Sequence, residues 1–144
     1  QMLAGIMEYI QELTVFLNPV KESYLRFGQS KAPKYISWSG ENRSQLIRIP
    51  AASGEYRRAE LRSPDPTTNP YLAYALLIYA GLYGIENKLD LPPAAEINFF
   101  KADKTTARQY KELPDTLEEA KALAQKSEFI KKHLPESIIN IYCK

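Results

Sequence analysis

The chain has 144 residues, 44% hydrophobic and 25% charged, with 19 Lys/Arg against 17 Asp/Glu and a formal charge of +2. That is the composition of one modest globular domain, and a charge so near balance argues against a nucleic-acid or membrane partner. The single cysteine, Cys143, permits no intrachain disulfide, and without a secretory apolar segment the chain reads as cytoplasmic.

Residues 2 to 17 place Leu3, Ile6, Met7, Ile10, Leu13 and Leu17 at three- and four-residue intervals, which predicts an amphipathic helix. Asn18-Pro19 ends it. Residues 20 to 33 have no sustained period and read as a loop hinged at Gly28. Three short β-prone runs follow, Tyr35 to Ser39, Gln45 to Pro50 and Tyr56 to Arg62, and the turns between them predict a three-stranded antiparallel meander.

Asn69 supplies an N-cap and Pro70 the first helical position of a helix running to about Asn87. Its apolar stretch is shorter than the roughly twenty residues a bilayer span needs, so it reads as a buried core helix. Leu91 to Pro114 is irregular. Thr116-Leu117-Glu118-Glu119 has the form of a capping box and opens a helix over about 117 to 132. Pro135 begins a last short helix, 135 to 142, in which Ile138, Ile139 and Tyr142 are the docking contacts. The fold class is α+β, a short antiparallel meander with helices packed on it.

The chemistry is concentrated between Asn42 and Asp65, where Arg43, Arg48, Arg58 and Arg62 are set around the carboxylate of Glu60. Guanidinium forks suit phosphate and carboxylate oxygens, so the cluster points to a nucleotide or an acidic substrate. Strand alternation puts Arg58, Glu60 and Arg62 on one face and Ala59 and Leu61 on the other. His133 is the only histidine and lacks a carboxylate or cysteine at ligand spacing, so it reads as a surface or capping residue. Ser39, Ser44 and Ser63 have no His/Asp partner in the pattern of a hydrolase. Trp38 and Tyr35 read as strand core rather than a nucleotide-stacking pair.

The words Asn18-Pro19, Ser23-Tyr24-Leu25-Arg26, Trp38-Ser39, Asn42-Arg43-Ser44, Arg48-Ile49-Pro50, Glu60-Leu61-Arg62-Ser63-Pro64-Asp65, Asn69-Pro70-Tyr71-Leu72-Ala73 and Gly81-Leu82-Tyr83-Gly84-Ile85-Glu86-Asn87-Lys88 occur in this order. Together they resemble the C-terminal catalytic region of bacterial type I glutamine synthetase. The resemblance covers essentially the whole chain. It implies a fragment lacking the N-terminal β-grasp domain, the first half of the catalytic domain and the extreme C-terminal helices. It also implies an ATP-dependent ligase that joins glutamate and ammonia through γ-glutamyl phosphate, with Mg²⁺ or Mn²⁺, in a homododecamer of two hexameric rings.

By match to the family's motifs, Arg26 and Arg62 resemble the glutamate-binding arginines, and Arg43 the one shared by substrate and phosphate. Arg48 and Arg58 resemble those near ATP, Glu60 a metal ligand, and Arg43 and Arg62 the catalytic pair. Two departures bear on function. The family's flap carries a glutamate before Ala-Pro, whereas Lys31 precedes Ala32-Pro33 here, and a protonated lysine can neither attract ammonium nor accept its proton. Phe100 stands near the tyrosine that some members adenylylate, and it offers no hydroxyl.

The leading expectation is thus a glutamine synthetase fragment, inactive alone. The alternatives are a γ-glutamyl-amine (polyamine) synthetase of the same fold, or a non-catalytic homologue used in ligand binding or assembly. An unpaired strand edge and an orphaned face on the 3–17 helix predict self-association of the fragment as a dimer.

Overall fold

The computed structural model describes residues 1–29 and 31–144. The first helix, α1 (Met2–Leu17), forms where the apolar period predicts it and becomes the centre of the molecule. Ile10, Leu13, Val15, Phe16 and Leu17 are all 0% exposed, and burying side chains of this size stabilises by about 1.5–3 kcal/mol each. Its main neighbours are α3 (Pro70–Glu86) on one side and α5 (Leu117–Lys126) on the other. Tyr9 stacks on Phe129 at 4.0 Å between centroids and meets Tyr83 edge-on at 4.9 Å.

The crossing of α1 and α3 is set by glycines. A Cβ on Gly5 would lie 2.1 Å from the Ala80 carbonyl oxygen, and one on Gly84 would lie 2.3 Å from the Gln1 carbonyl oxygen. The two backbones touch directly, and Gly81 and Gly84 sit inside an unbroken helix. Asn69 caps α3 as its sequence implies, its Oδ1 accepting from the Tyr71 and Leu72 N–H groups at 3.0 and 3.3 Å.

The expected orphan face on α1 does not exist, because α3, α5 and the last helices cover it. The apolar side chains left in the open belong to α3 instead: Tyr71 is 86% exposed, Tyr74 67% and Ile78 60%, with Leu82 and Ile85 continuing the stripe. The helix is apolar all round, so packing one side on α1 leaves the other uncovered.

The sheet has three strands in the order β1 (Trp38–Ser39), β2 (Ile47–Arg48) and β3 (Glu60–Leu61). β2 and β3 are antiparallel as expected, with Arg48 opposite Glu60. β1 and β2 are parallel, with Trp38 opposite Ile47, so the first hairpin of the expected meander is absent. The intervening residues do not make a tight turn because their side chains are drawn elsewhere. Asn42 and Gln45 donate to the carbonyls of Ala95 and Ile97 at 2.7–3.0 Å, carrying the chain outward before it re-enters in the same direction. The free edge of β1 is also partly closed, the Ala95 N–H donating to Trp38 O at 2.8 Å.

Two short helices, α2 (Lys21–Tyr24) and α4 (Lys104–Ala107), lie within the segments expected to be irregular. The helix expected over 117 to 132 is divided into α5 and α6 (Glu128–His133) at Ser127, which has extended backbone (φ −71°, ψ 120°). Its hydroxyl accepts from the Ile130 N–H at 3.1 Å and donates to the Glu12 carboxylate. A local cap joined to a long-range contact thus outweighs helix continuation. The Thr116 cap forms, accepting from Glu119 N at 3.1 Å, while the Glu119 carboxylate accepts from Asp115 N at 2.9 Å. In α7 (Glu136–Cys143), Ile139 and Tyr142 pack on the core and Ile138 is half-buried.

Replacing Gly84 by alanine drives a methyl group into backbone that cannot yield cheaply. Gly84→Ala is expected to lower the unfolding free energy by about 2–3 kcal/mol, measured by urea titration. Gly40→Ala, whose Cβ would find its nearest neighbour at 3.7 Å, is expected to leave it within about 0.5 kcal/mol.

Candidate active site

Strand alternation gives the small sheet two unlike faces. Ile47, Ala59 and Leu61 line an apolar groove of about 570 Å³ with Leu3, Ile6 and Leu77 of α1 and α3. Arg48 and Glu60 turn to the other face, where Arg48 Nη1 donates to Glu60 Oε1 and Oε2 at 3.2 and 3.0 Å. Arg58 Nε stands 3.4 Å from Glu60 Oε1, and Arg48 Nε also donates to the Glu41 carbonyl at 3.2 Å.

The Asn42-Arg43-Ser44 word has a structural cause. Asn42 Oδ1 accepts from Ser44 N and Ser44 Oγ, both at 2.9 Å, closing an Asx turn that leaves the intervening Arg43 side chain exposed. The Arg43 carbonyl in turn accepts from Arg62 Nε at 3.2 Å. Arg62 Nη2 donates to the Lys31 carbonyl at 2.8 Å, so one guanidinium bridges two loops. Lys31 itself adopts a left-handed conformation (φ 64°), which costs a residue with a Cβ about 1 kcal/mol or more. Arg26 is anchored farther along, its Nη2 donating to the Ser63 carbonyl at 2.7 Å.

The structure therefore gathers Arg43, Arg48, Arg58, Glu60 and Arg62 into one charged face, with Lys31 tied to it through the backbone. Arg26 joins through Ser63, the residue after Arg62. Crowding shifts the proton affinities of Glu60 and Arg62. Hydrogen bonds from Arg48, aided by the fields of Arg48, Arg58 and Arg62, hold the Glu60 carboxyl below the usual carboxylate range against a smaller upward push from burial. Burial, with repulsion from Arg43 and Arg48, lowers Arg62 despite the attraction of Glu60.

Among the described residues no three His, Cys, Asp or Glu side chains converge on a metal position. Glu60 is a lone carboxylate already engaged by arginines. It fits one ligand of a hard cation whose other ligands are phosphate and water oxygens, and it does not by itself make a cage. Tyr35 stacks on Phe99 at 4.6 Å, and Trp38 Nε1 donates to the Pro92 carbonyl at 2.6 Å, so both aromatics are engaged in holding the 91–114 connection. His133 stacks on Tyr79 at 4.1 Å, away from the arginines. Two supporting residues escaped the sequence reading, Asn18 and Gln45, both 0% exposed. Their amides pair with backbone carbonyls distant in sequence, which leaves no local signal.

Residues 1–144 match the glutamine synthetase catalytic domain along their whole length. The chain belongs to the glutamine synthetase catalytic-domain family. Its relatives include glutamine synthetases of Methanosarcina mazei, 46% identical over 97% of this chain and 32% of that protein, and of Thermus thermophilus, 42% identical over 94% and 31%. A third, from Clostridium saccharobutylicum, is 39% identical over 99% and 33%. The chain thus spans about a third of the length of these glutamine synthetases. Among solved structures, a GmaS/ADP complex superposes with a TM-score of 0.83 at 29% identity, over 98% of this chain and 34% of that one. No helix among the described residues is long and apolar enough to cross a membrane.

The depressed Glu60 pKa fixes the sign of a pH effect. Its folded value lies below its unfolded one, so the stabilisation from the arginine contacts is complete above the unfolded value, roughly 4.3, and is lost as pH falls through the folded value. A ¹³C titration of the Glu60 carboxyl is expected to show a midpoint below about 4.3, with Arg48→Ala moving it upward. A midpoint at or above the ordinary value would contradict this geometry.

Proposed function

We propose that this chain supplies the arginine-bearing part of the active site of a glutamine synthetase, an ATP-dependent ligase acting on glutamate. The observation that carries the reading is the face on which Arg48 and Arg58 flank Glu60 while Arg62 is fixed between the Arg43 and Lys31 carbonyls. In a reaction that transfers a phosphoryl group between anions, positive charge held in place before the substrates arrive stabilises the transition state directly.

In the proposed reaction a side-chain carboxylate oxygen of glutamate attacks the γ-phosphorus of ATP, the bond to ADP breaks, and ADP leaves with the electron pair. The amine nitrogen then attacks the acyl carbon, phosphate departs, and the amine loses a proton. Arg26 and Arg62 bind glutamate carboxylate, with Arg43 at the transferring phosphoryl group and Arg48 and Arg58 towards ATP. Arg43 and Arg62 are the groups most directly in contact with reacting atoms. Mg²⁺ or Mn²⁺, when bound, neutralises phosphate charge, and Glu60 would contribute one ligand to it.

The rest of the site is proposed to lie in a longer protein, since the matched relatives are about three times this chain's length. We propose that the complete enzyme forms the homododecamer of its family, contains the N-terminal parts this segment does not cover, and works in the cytoplasm. The segment alone is inactive. The apolar stripe of α3, from Tyr71 to Ile85, supports self-association of the isolated chain as a dimer.

Lys31 favours a second reading, in which the accepted amine is not ammonia. A lysine cannot attract ammonium or take its proton while charged, and its backbone is fastened to Arg62. The decisive measurement is ATP-dependent phosphate release by the full-length enzyme with glutamate and Mg²⁺, comparing ammonium with methylamine and polyamines. Ammonium-dependent turnover is expected, with Lys31→Glu raising kcat/KM for ammonium by roughly ten- to a hundredfold. Turnover with an organic amine alone would establish the γ-glutamyl-amine ligase, and silence with every amine the non-catalytic homologue. Arg62→Ala is expected to reduce kcat/KM for glutamate by roughly a hundredfold or more, which steady-state kinetics would read.

A further inference from the structure

We propose that Asn18 is a positioning residue for glutamate binding, acting through the Ser63 carbonyl to hold Arg26. The inference rests on the assignment of Arg26 to the glutamate carboxylate. It deepens that assignment by naming what aims the guanidinium.

A single backbone oxygen joins the two side chains. Ser63 O accepts from Arg26 Nη2 at 2.7 Å and from Asn18 Nδ2 at 2.8 Å, using both of its acceptor positions. Asn18 is 0% exposed and Ser63 1%. The Asn18 backbone N–H donates to Thr14 O at 2.8 Å, so its position is set by the C-terminal end of α1 rather than by either loop.

The segment after Ser63 is fastened to the same helix end. Asp65 N donates to Leu17 O at 3.3 Å, and Thr68 Oγ1 donates to Phe16 O at 2.8 Å. The Asp65 carboxylate lies 3.5 Å from Asn18 Nδ2 and accepts from Thr67 N at 2.9 Å. Ser23, 3% exposed and three residues before Arg26, faces that carboxylate without closing a full hydrogen bond. Asn18 therefore lies where the end of α1, the Arg26 loop and the exit of β3 meet.

This node is polar where simple packing would call for apolar side chains. Asn18 Oδ1, Arg26 Nε and Ser63 Oγ are buried without a partner among the described residues, and unmet hydrogen-bonding capacity of this kind is destabilising. An apolar side chain at position 18 would remove the unmet Asn18 Oδ1 from the end of α1. What the amide adds is direction, since it fixes the oxygen to which one edge of the Arg26 fork is bound. The remaining guanidinium donors are then held in one plane for a carboxylate.

The test is steady-state kinetics of the full-length enzyme, reading KM for glutamate and KM for ATP separately, with the melting temperature of each variant. Asn18→Ala is expected to raise the glutamate KM about tenfold and to change the ATP KM by less than about twofold, because Arg48 and Arg58 do not touch the node. Asp65→Asn keeps the volume and weakens the acceptor facing Asn18, and it is expected to raise the glutamate KM about threefold. It carries the measurement if Asn18→Ala does not fold. An unchanged glutamate KM in a folded variant overturns the inference alone, as do equal rises in both KM values accompanied by a lower melting temperature. Absence of glutamate-dependent turnover in the unmodified enzyme overturns the assignment of Arg26 and this inference with it.

Discussion

Mutual repulsion among the arginines is the constraint to which the rest of this structure answers. Arg43, Arg48, Arg58 and Arg62 crowd one face with only the Glu60 carboxylate among them, and the lowered pKa of Arg62 registers burial together with the fields of Arg43 and Arg48. Such a cluster persists when most of its guanidinium groups are fastened to something uncharged or opposite in charge and the remaining one, on Arg43, is exposed to solvent. The fasteners are Glu60 for Arg48 and Arg58, and backbone carbonyls of Glu41, Arg43, Lys31 and Ser63 for Arg48, Arg62 and Arg26. Carbonyl acceptors hold a fork in place without cancelling its charge, which is what a site for anions requires.

Strands of two residues cannot bear this load through their own ladder. The sheet is held from outside by buried amides and hydroxyls, as Asn42, Ser44 and Gln45 draw in the 91–114 connection and Asn18 ties the exit of β3 to α1. Behind the sheet the support is apolar and close-packed. α1 buries one face from Ala4 to Leu17, and its contact with α3 at Gly5 and Gly84 is tight enough to bring backbone against backbone. The uncovered stripe on α3 continues this apolar layer.

The local signals in the sequence were of short range, and those were legible. The 3.6-residue period located α1, Asn69-Pro70 started α3, Thr116 with Glu119 started α5, and alternation separated Arg58 and Glu60 from Ala59 and Leu61. The arginine-rich words identified the family, because guanidinium chemistry at fixed spacing is recorded in the residues themselves. Only tertiary contacts decided the remainder. The parallel pairing of β1 with β2 depends on carbonyls near Ala95, the break at Ser127 on Glu12, and the setting of Arg26 on Asn18 through Ser63. Each joins residues far apart in the chain, where no propensity or period operates and where the free energy comes from burying and pairing groups that meet only after folding.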